Sequence, residues 1–233
     1  MNLEMLNRMR QIIHDEGYQN FLEKTFYYLN LNVKFEINTE KNHIRNLIFY
    51  NGIPHPRTKL LIRPLDVKWQ IGRDALQNKQ NPGMNNELFA QGLGNVYSGD
   101  WDKNRSKITE NLIIQSIWDR YKRNTDWSST KLYDKYIAEG YDKGEVETWL
   151  ANIDHLYENI RSDGYQCGHA GLHSKNVSQP IRDRHEVLIN IDRNGNVGFF
   201  EGNHRWGIAC CLDIEIPAQV FARHKIWVSN QAN

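Results

Sequence analysis

The run GFFEGNHRWGIACC, residues 198–211, sets a glycine, a histidine and an arginine between an apolar stretch that reads as a strand and another that reads as a helix. A strand, a glycine and a helix start leave backbone N–H groups without internal partners at one point, and such a point attracts an anion. His204 and Arg205 add side chains of the right kind. The planar fork of arginine matches phosphate oxygens, and histidine donates a hydrogen bond or carries a proton near neutral pH. The residues Gly202, Asn203, His204 and Arg205 therefore suggest a phosphate site. An arginine at a helix start can equally pair with a carboxylate such as Glu201, and the local residues leave both readings open.

Other groups could serve the same chemistry. Asp100 and Asp102 in YSGDWD stand one residue apart on a predicted loop, a spacing that lets both face one magnesium ion or bind sugar hydroxyls, and equally lets them cap the next helix. Trp101 between them offers a stacking face or packs in the core. RDRHE (182–186) and ARHKIW (222–227) each place Arg and His at a strand end, so Arg184, His185, Arg223 and His224 could widen an anion site or simply decorate solvated termini. Cys167, His169 and His173 carry a metal-like spacing without a fourth ligand, which weighs against a structural zinc site. Cys210 and Cys211 fall on an apolar helix and read as small buried hydrophobes.

These groups need elements to hold them. Residues 3–30 repeat apolar side chains at helical spacing, interrupted near Gly17, and predict two amphipathic helices. VKFEI (33–37) and HIRNLIFY (43–50) flank NTEKN and predict a hairpin, with a boundary near residue 55. The Asn-, Gln- and Gly-rich stretch 70–105 predicts a long loop. Helices follow at 107–122, 129–138 and 143–162; Asp142 with Glu145 marks the start of the last and Gly164 its stop. EVLINID, the turn RNGN and VGFF predict a second hairpin, which runs through Gly202 into a helix and then the strand IPAQVFARH.

The bulk numbers bound the function. The chain has 233 residues, 24% charged and 39% hydrophobic, enough for one substantial core with an appendage. A formal net charge of +1 gives no general attraction to nucleic acid or to an anionic membrane, so any anion site must be local. The first residues contain no apolar core of signal-peptide length, and three cysteines cannot all pair within the chain; both point to the cytoplasm. No membrane partner is expected.

The order of elements across 153–227 resembles the ParB/sulfiredoxin superfamily. Its pattern is a helix ending "SI-x-x-x-G", a hairpin, a "D-G-x-H-R" or "G-E-R-R" box, a short helix and a closing strand after "IP". Here these read IDHLYENIRSDG, EVLINIDRNGNVGFF, EGNHR, WGIACCLD and IPAQVFARH, with KLLIRPLDVKW as the first strand and its sequel. The resemblance implies an α+β fold with a small mixed sheet over residues 56–233, a loop-and-helix insertion at about 70–152, and residues 1–55 as a helical and hairpin extension. It places Gly202, Asn203, His204 and Arg205 on nucleotide phosphates, and makes Glu201 the candidate base or metal-organising carboxylate, as in the free-serine kinases of this type. Asn203 stands where sulfiredoxins carry cysteine and partition proteins carry glutamate, against both chemistries. The expectation is a phosphotransferase using ATP or another nucleoside triphosphate with magnesium, on a small hydroxyl-bearing acceptor such as a sugar or amino acid. Glu201 or Asp100 would be base, His204 and Arg205 clamps, Asp100, Asp102 and Glu201 metal ligands. YSGDWD would line the acceptor pocket. The alternative is a ParB-like, nucleotide-gated DNA-binding or nuclease-type protein, for which the chain shows no basic stripe.

Overall fold

The computed structural model describes residues 17–50, 52–72, 90–166 and 186–231. Among them, helix α1 spans Tyr18–Phe49, α2 Leu112–Lys122, α3 Lys131–Ala138, α4 Lys143–Asp163, α5 Asn203–Leu212 and α6 Lys225–Gln231. The strands are β1 Lys59–Ile62, β2 Trp69–Gln70, β3 Asn95–Tyr97, β4 Ser106–Lys107, β5 Val187–Ile191, β6 Val197–Glu201 and β7 Ile216–His224.

The strands form one mixed sheet in the order β1-β7-β5-β6-β2-β4, with β3 also paired to β7. β5 lies at its centre, antiparallel to β6 and parallel to β7, and all five of its residues are buried. A strand covered on both faces needs layers on both sides. Val187, Ile189, Phe199, Ala218 and Val220 point to one face and pack with Trp206, Ala209 and Cys210 of α5 and Ile114 of α2. Leu188, Phe200 and Phe221 point to the other and meet Phe35 of α1 and Leu93. Behind α5, a second apolar cluster joins Ile208 and Cys211 to Ile117, Leu132, Val146 and Leu150, and so gathers α2, α3 and α4. The class is α+β, with a helical layer on each side of a mixed sheet.

Several elements lie where the sequence puts them. Asp142 Oδ1 accepts from the N–H groups of Gly144 and Glu145 at 2.8 and 3.2 Å and starts α4, which stops at Gly164. Cys210 and Cys211 are buried free thiols, their pKa values pushed up to about 12 and about 11 chiefly by burial.

The first predicted hairpin is a correction. Residues 33–37 and 43–50 belong to α1, which runs unbroken for 32 residues with neither glycine nor proline inside it. Its inward stripe is Leu31, Phe35, Thr39, Asn42 and Asn46. Three of these five are polar, so the helical period is hidden from a hydrophobicity reading, and the alternation in VKFEI imitates a strand. The polar residues dock the helix on residues 90–95: Asn38 Nδ2 donates to Ala90 O at 2.7 Å, Asn42 Nδ2 to Leu93 O at 3.0 Å and Asn46 Nδ2 to Gly94 O at 2.8 Å. The stretch from 70 to 152 is also more than loop and helix, since β3 and β4 within it enter the sheet.

No helix among the described residues is long and apolar enough to cross a membrane.

Candidate anion-binding site at the β6–α5 turn

Strand β6 ends at Glu201, and Gly202 turns the chain with φ 99° and ψ 39°, in the left-handed region. A Cβ on Gly202 would sit 3.0 Å from Val187 Cγ2 and 3.2 Å from Val187 Cα, so glycine meets both the φ and the close approach to β5. Helix α5 then starts at Asn203, and no side chain caps it. An N-terminus of this kind presents backbone N–H groups and the positive end of the helix dipole. His204 is exposed on the first turn. The surrounding protein lowers its pKa below the ordinary value and the neighbouring Arg205 lowers it further, so the imidazole is neutral at pH 7 and free to donate a hydrogen bond.

Arg205 turns the other way. Its Nη1 donates to Glu186 Oε1 at 3.2 Å and to the Tyr165 hydroxyl at 3.3 Å. Tyr165 donates to the same carboxylate oxygen at 2.6 Å, Val187 N–H donates to it at 3.1 Å, and Lys59 Nζ donates to Oε2 at 3.1 Å. The Glu186 side chain is fully buried, and burial pushes the Tyr165 phenol far above its usual range. A carboxylate taken out of water needs this many partners to offset its lost hydration. The pairing of Arg205 with a carboxylate is thus realised, with Glu186 as the partner.

A second helix start meets the first. Asn111 caps α2, its Oδ1 accepting from the N–H groups of Ile113 and Ile114. Its Nδ2 donates to Asn203 Oδ1 and to Gln70 Oε1, both at 2.8 Å, and Gln70 Nε2 donates to Ser106 Oγ at 2.9 Å. The α2 and α5 N-termini therefore come together through one amide pair, and both dipoles favour negative charge there.

Asp100, Trp101 and Asp102 lie elsewhere. Asp102 is buried and takes Arg193 Nη2 at 2.6 Å, Nε at 2.8 Å and the Arg193 backbone N–H at 3.1 Å; Arg193 Nη2 also bonds Asp100 at 2.7 Å. The guanidinium holds the Asp102 pKa down to about 2. His224 Nε2 lies 2.8 Å from Gly99 O, its ring 5.8 Å from that of Trp101. Arg223 is buried without a partner for Nε or Nη1, and burial lowers its pKa to about 10.

The sheet register sets the distance between the two groups. Glu201 pairs opposite Leu188 at the start of β5, whereas Arg223 pairs opposite Ile191 at its end. Leu188 and Ile191 are about 10 Å apart along the strand. The structure brings together Glu201, Gly202, Asn203, His204 and Arg205, and sets Asp100, Trp101, Asp102, Arg223 and His224 at the far end of the sheet. Of the expected union of RDRHE with ARHKIW, the β7 end with Arg223 and His224 is described, while residues 182–185 lie outside the described residues. Arg184, His185, Cys167, His169 and His173 lie outside the described residues. Among the described residues no group of three or more His, Cys, Asp or Glu could hold a metal ion, and the expected set of Asp100, Asp102 and Glu201 is divided between the two ends.

Comparison with protein-family models, curated proteins and solved structures finds no match to this chain.

The sequence reading missed Glu186, Tyr165, Lys59, Asn111 and Gln70, which come from five separate places along the chain. One signal was present: the acidic residue of EVLINID begins an otherwise apolar strand, and a carboxylate there requires cations around it. Against Cys210 in the second half of α5, a cavity of about 660 Å³ opens between Trp69 and α2. Trp69, Ile108, Ile114 and Trp118 line it, with Lys68 and Lys107 at its wall. Its volume is that of a small-molecule site.

Proposed function

We propose that the chain is a nucleotide-dependent phosphotransferase for a small hydroxyl-bearing acceptor, built on a ParB/sulfiredoxin-like fold. The observation that carries the reading is the uncapped start of α5 behind a left-handed glycine, with Glu201 and an exposed, neutral His204 on either side of it. The order α4, β5–β6 hairpin, Gly202 turn, α5 and β7 supports the fold.

In this reading the phosphates of a nucleoside triphosphate such as ATP lie on the N–H groups of Asn203 and His204, and the His204 ring donates to a phosphate oxygen. Arg205 is a positioning residue: its bond to Glu186 ties the first turn of α5 to the start of β5. Glu201 accepts the acceptor's hydroxyl proton as the γ-phosphoryl passes to that oxygen and the nucleoside diphosphate departs. Glu201 is the one carboxylate of the expected metal set at the turn, which suits magnesium carried mainly by the phosphates. The magnesium would neutralise phosphate charge when bound. The acceptor occupies the cavity beside Trp69, whose neighbour Gln70 is bonded through Asn111 to Asn203 at the turn.

The test is a screen of hydroxyl-bearing acceptors for transfer of labelled γ-phosphate. Wild type should transfer label, and Glu201→Gln should lose at least 100-fold in rate while still binding nucleotide, the loss typical of a general base. Equal rates for the two proteins would remove Glu201 from the chemistry. Turnover only in the presence of DNA would favour the nucleotide-gated, DNA-binding alternative.

A further inference from the structure

Helix α1 packs a mixed side on the domain and carries an apolar stripe on the opposite side. One side, Leu31 and Phe35 with Thr39, Asn42 and Asn46, packs on the sheet and on residues 90–95. Diametrically across the helix, Phe26, Leu29, Val33, Ile37, Ile44 and Ile48 recur at intervals of three, four or seven residues and stay in water. Phe26 is 67%, Ile37 61% and Ile48 68% exposed. At 100° per residue these six fall in one stripe. It leaves on the order of 700 Å² of apolar side chain in water, more than the usual largest patch of a monomer and close to the ~800 Å² per partner of a stable interface.

We infer that this stripe is the interface of a homodimer, in which two copies of α1 pack antiparallel about a two-fold axis through Ile37. The charge pattern selects a second copy as the occupant. A two-fold axis makes each contact reciprocal, so residues equally far from Ile37 on either side face each other. Phe26 then meets Ile48 of the partner subunit, and Asn30 meets Ile44 of the partner subunit. Lys34 lies opposite Glu40 of the partner subunit, an attractive pair made twice, in which Lys34 joins the Arg57 that Glu40 already meets within its own chain at 3.4 Å. Lys41 lies opposite Val33 of the partner subunit and covers it with its aliphatic stem. Lys34 and Glu40 interrupt the apolar stripe on opposite sides of its centre, the arrangement a self-complementary surface requires. The inference does not rest on the phosphotransferase reading, since the stripe faces away from the sheet.

The experiment uses the full chain. Sedimentation velocity should show a dimer, and mild oxidation should link Ile37→Cys into a disulfide dimer, because a residue on the axis meets itself. Leu61→Cys, an equally exposed apolar position on β1, should not link. Lys34→Glu and Glu40→Lys should each weaken dimerisation about tenfold, and the double exchange should restore it; restoration separates the contact from simple misfolding. A monomeric full chain overturns the inference, as does a dimer in which Ile37→Cys does not link. So does a full-length monomer that dimerises only when residues 2–16 are removed, since the chain's own N-terminal segment would then be the occupant.

Discussion

Arg205 shows how the setting of a side chain decides its role. A guanidinium at a helix start looks like a phosphate clamp until Glu186 is placed beside it, fully buried and bonded also by Tyr165 and Lys59. Removing Arg205 leaves that carboxylate with less than its full complement of partners, so Arg205→Ala should destabilise the fold by about 3 kcal/mol, measured by urea unfolding. Glu186→Gln should cost a comparable amount, because the Arg205 side chain is only 14% exposed and would keep a largely buried charge without its carboxylate. Asp102 makes a separate prediction. Its folded pKa, about 2, lies below the ordinary 3.8, so its ion pair contributes stability that is complete above the ordinary value and is lost as pH falls through about 2. That contribution is about 1–2 kcal/mol. Asp102→Asn should remove this part of the acid sensitivity, and an unchanged slope of stability against pH across that window would show that the Arg193 pair does not hold the β5–β6 turn.

At the level of elements, what could be read from the sequence follows from where the apolar atoms are. α4, the β5–β6 hairpin, α5 and β7 were legible because their caps, turn residues and apolar periods agree, as in Asp142, Gly164 and the alternation of VLINI. α1 was not, because it touches the domain through asparagines and a threonine, whose value depends on backbone carbonyls that only the fold brings near. β2 and β4 have two residues each, too few to show any period. The site divides in the same way. Gly202 to Arg205 is continuous and could be recognised; Glu186, Tyr165, Lys59 and Asn111 assemble only in three dimensions. The docking of α1 is testable at Gly92, where φ is +73° and an added Cβ would fall 2.4 Å from the Thr39 backbone nitrogen. Gly92→Ala should therefore cost about 2 kcal/mol or more and lower hydrogen-exchange protection in α1 before that in β5. Uniform loss of protection would instead make α1 part of one cooperative unit with the sheet.

For the molecule as a whole, the central sheet separates two polar groups by the length of β5. One end carries an uncapped helix start, a neutral histidine and the Glu201 carboxylate; the other carries aspartates already bound to Arg193. In the proposed reading, ligand chemistry belongs to the first end, while the second fastens the turn through Arg193. Asp100→Ala should accordingly leave nucleotide binding unchanged, measured by calorimetry, and a marked loss would return the YSGDWD loop to the site. The most direct test of the central claim is the thermal shift of wild type and His204→Asp with magnesium and ATP, CTP or GTP. Aspartate at that first-turn position favours the helix and repels phosphate, so the variant should be at least as stable without ligand yet fail to respond. The account predicts that one nucleotide, at about 100 times its dissociation constant, adds roughly 2.7 kcal/mol and raises the wild-type midpoint by roughly 5–10 °C, with the shift lost in His204→Asp. No shift with any nucleotide, or an equal shift in both proteins, would contradict it.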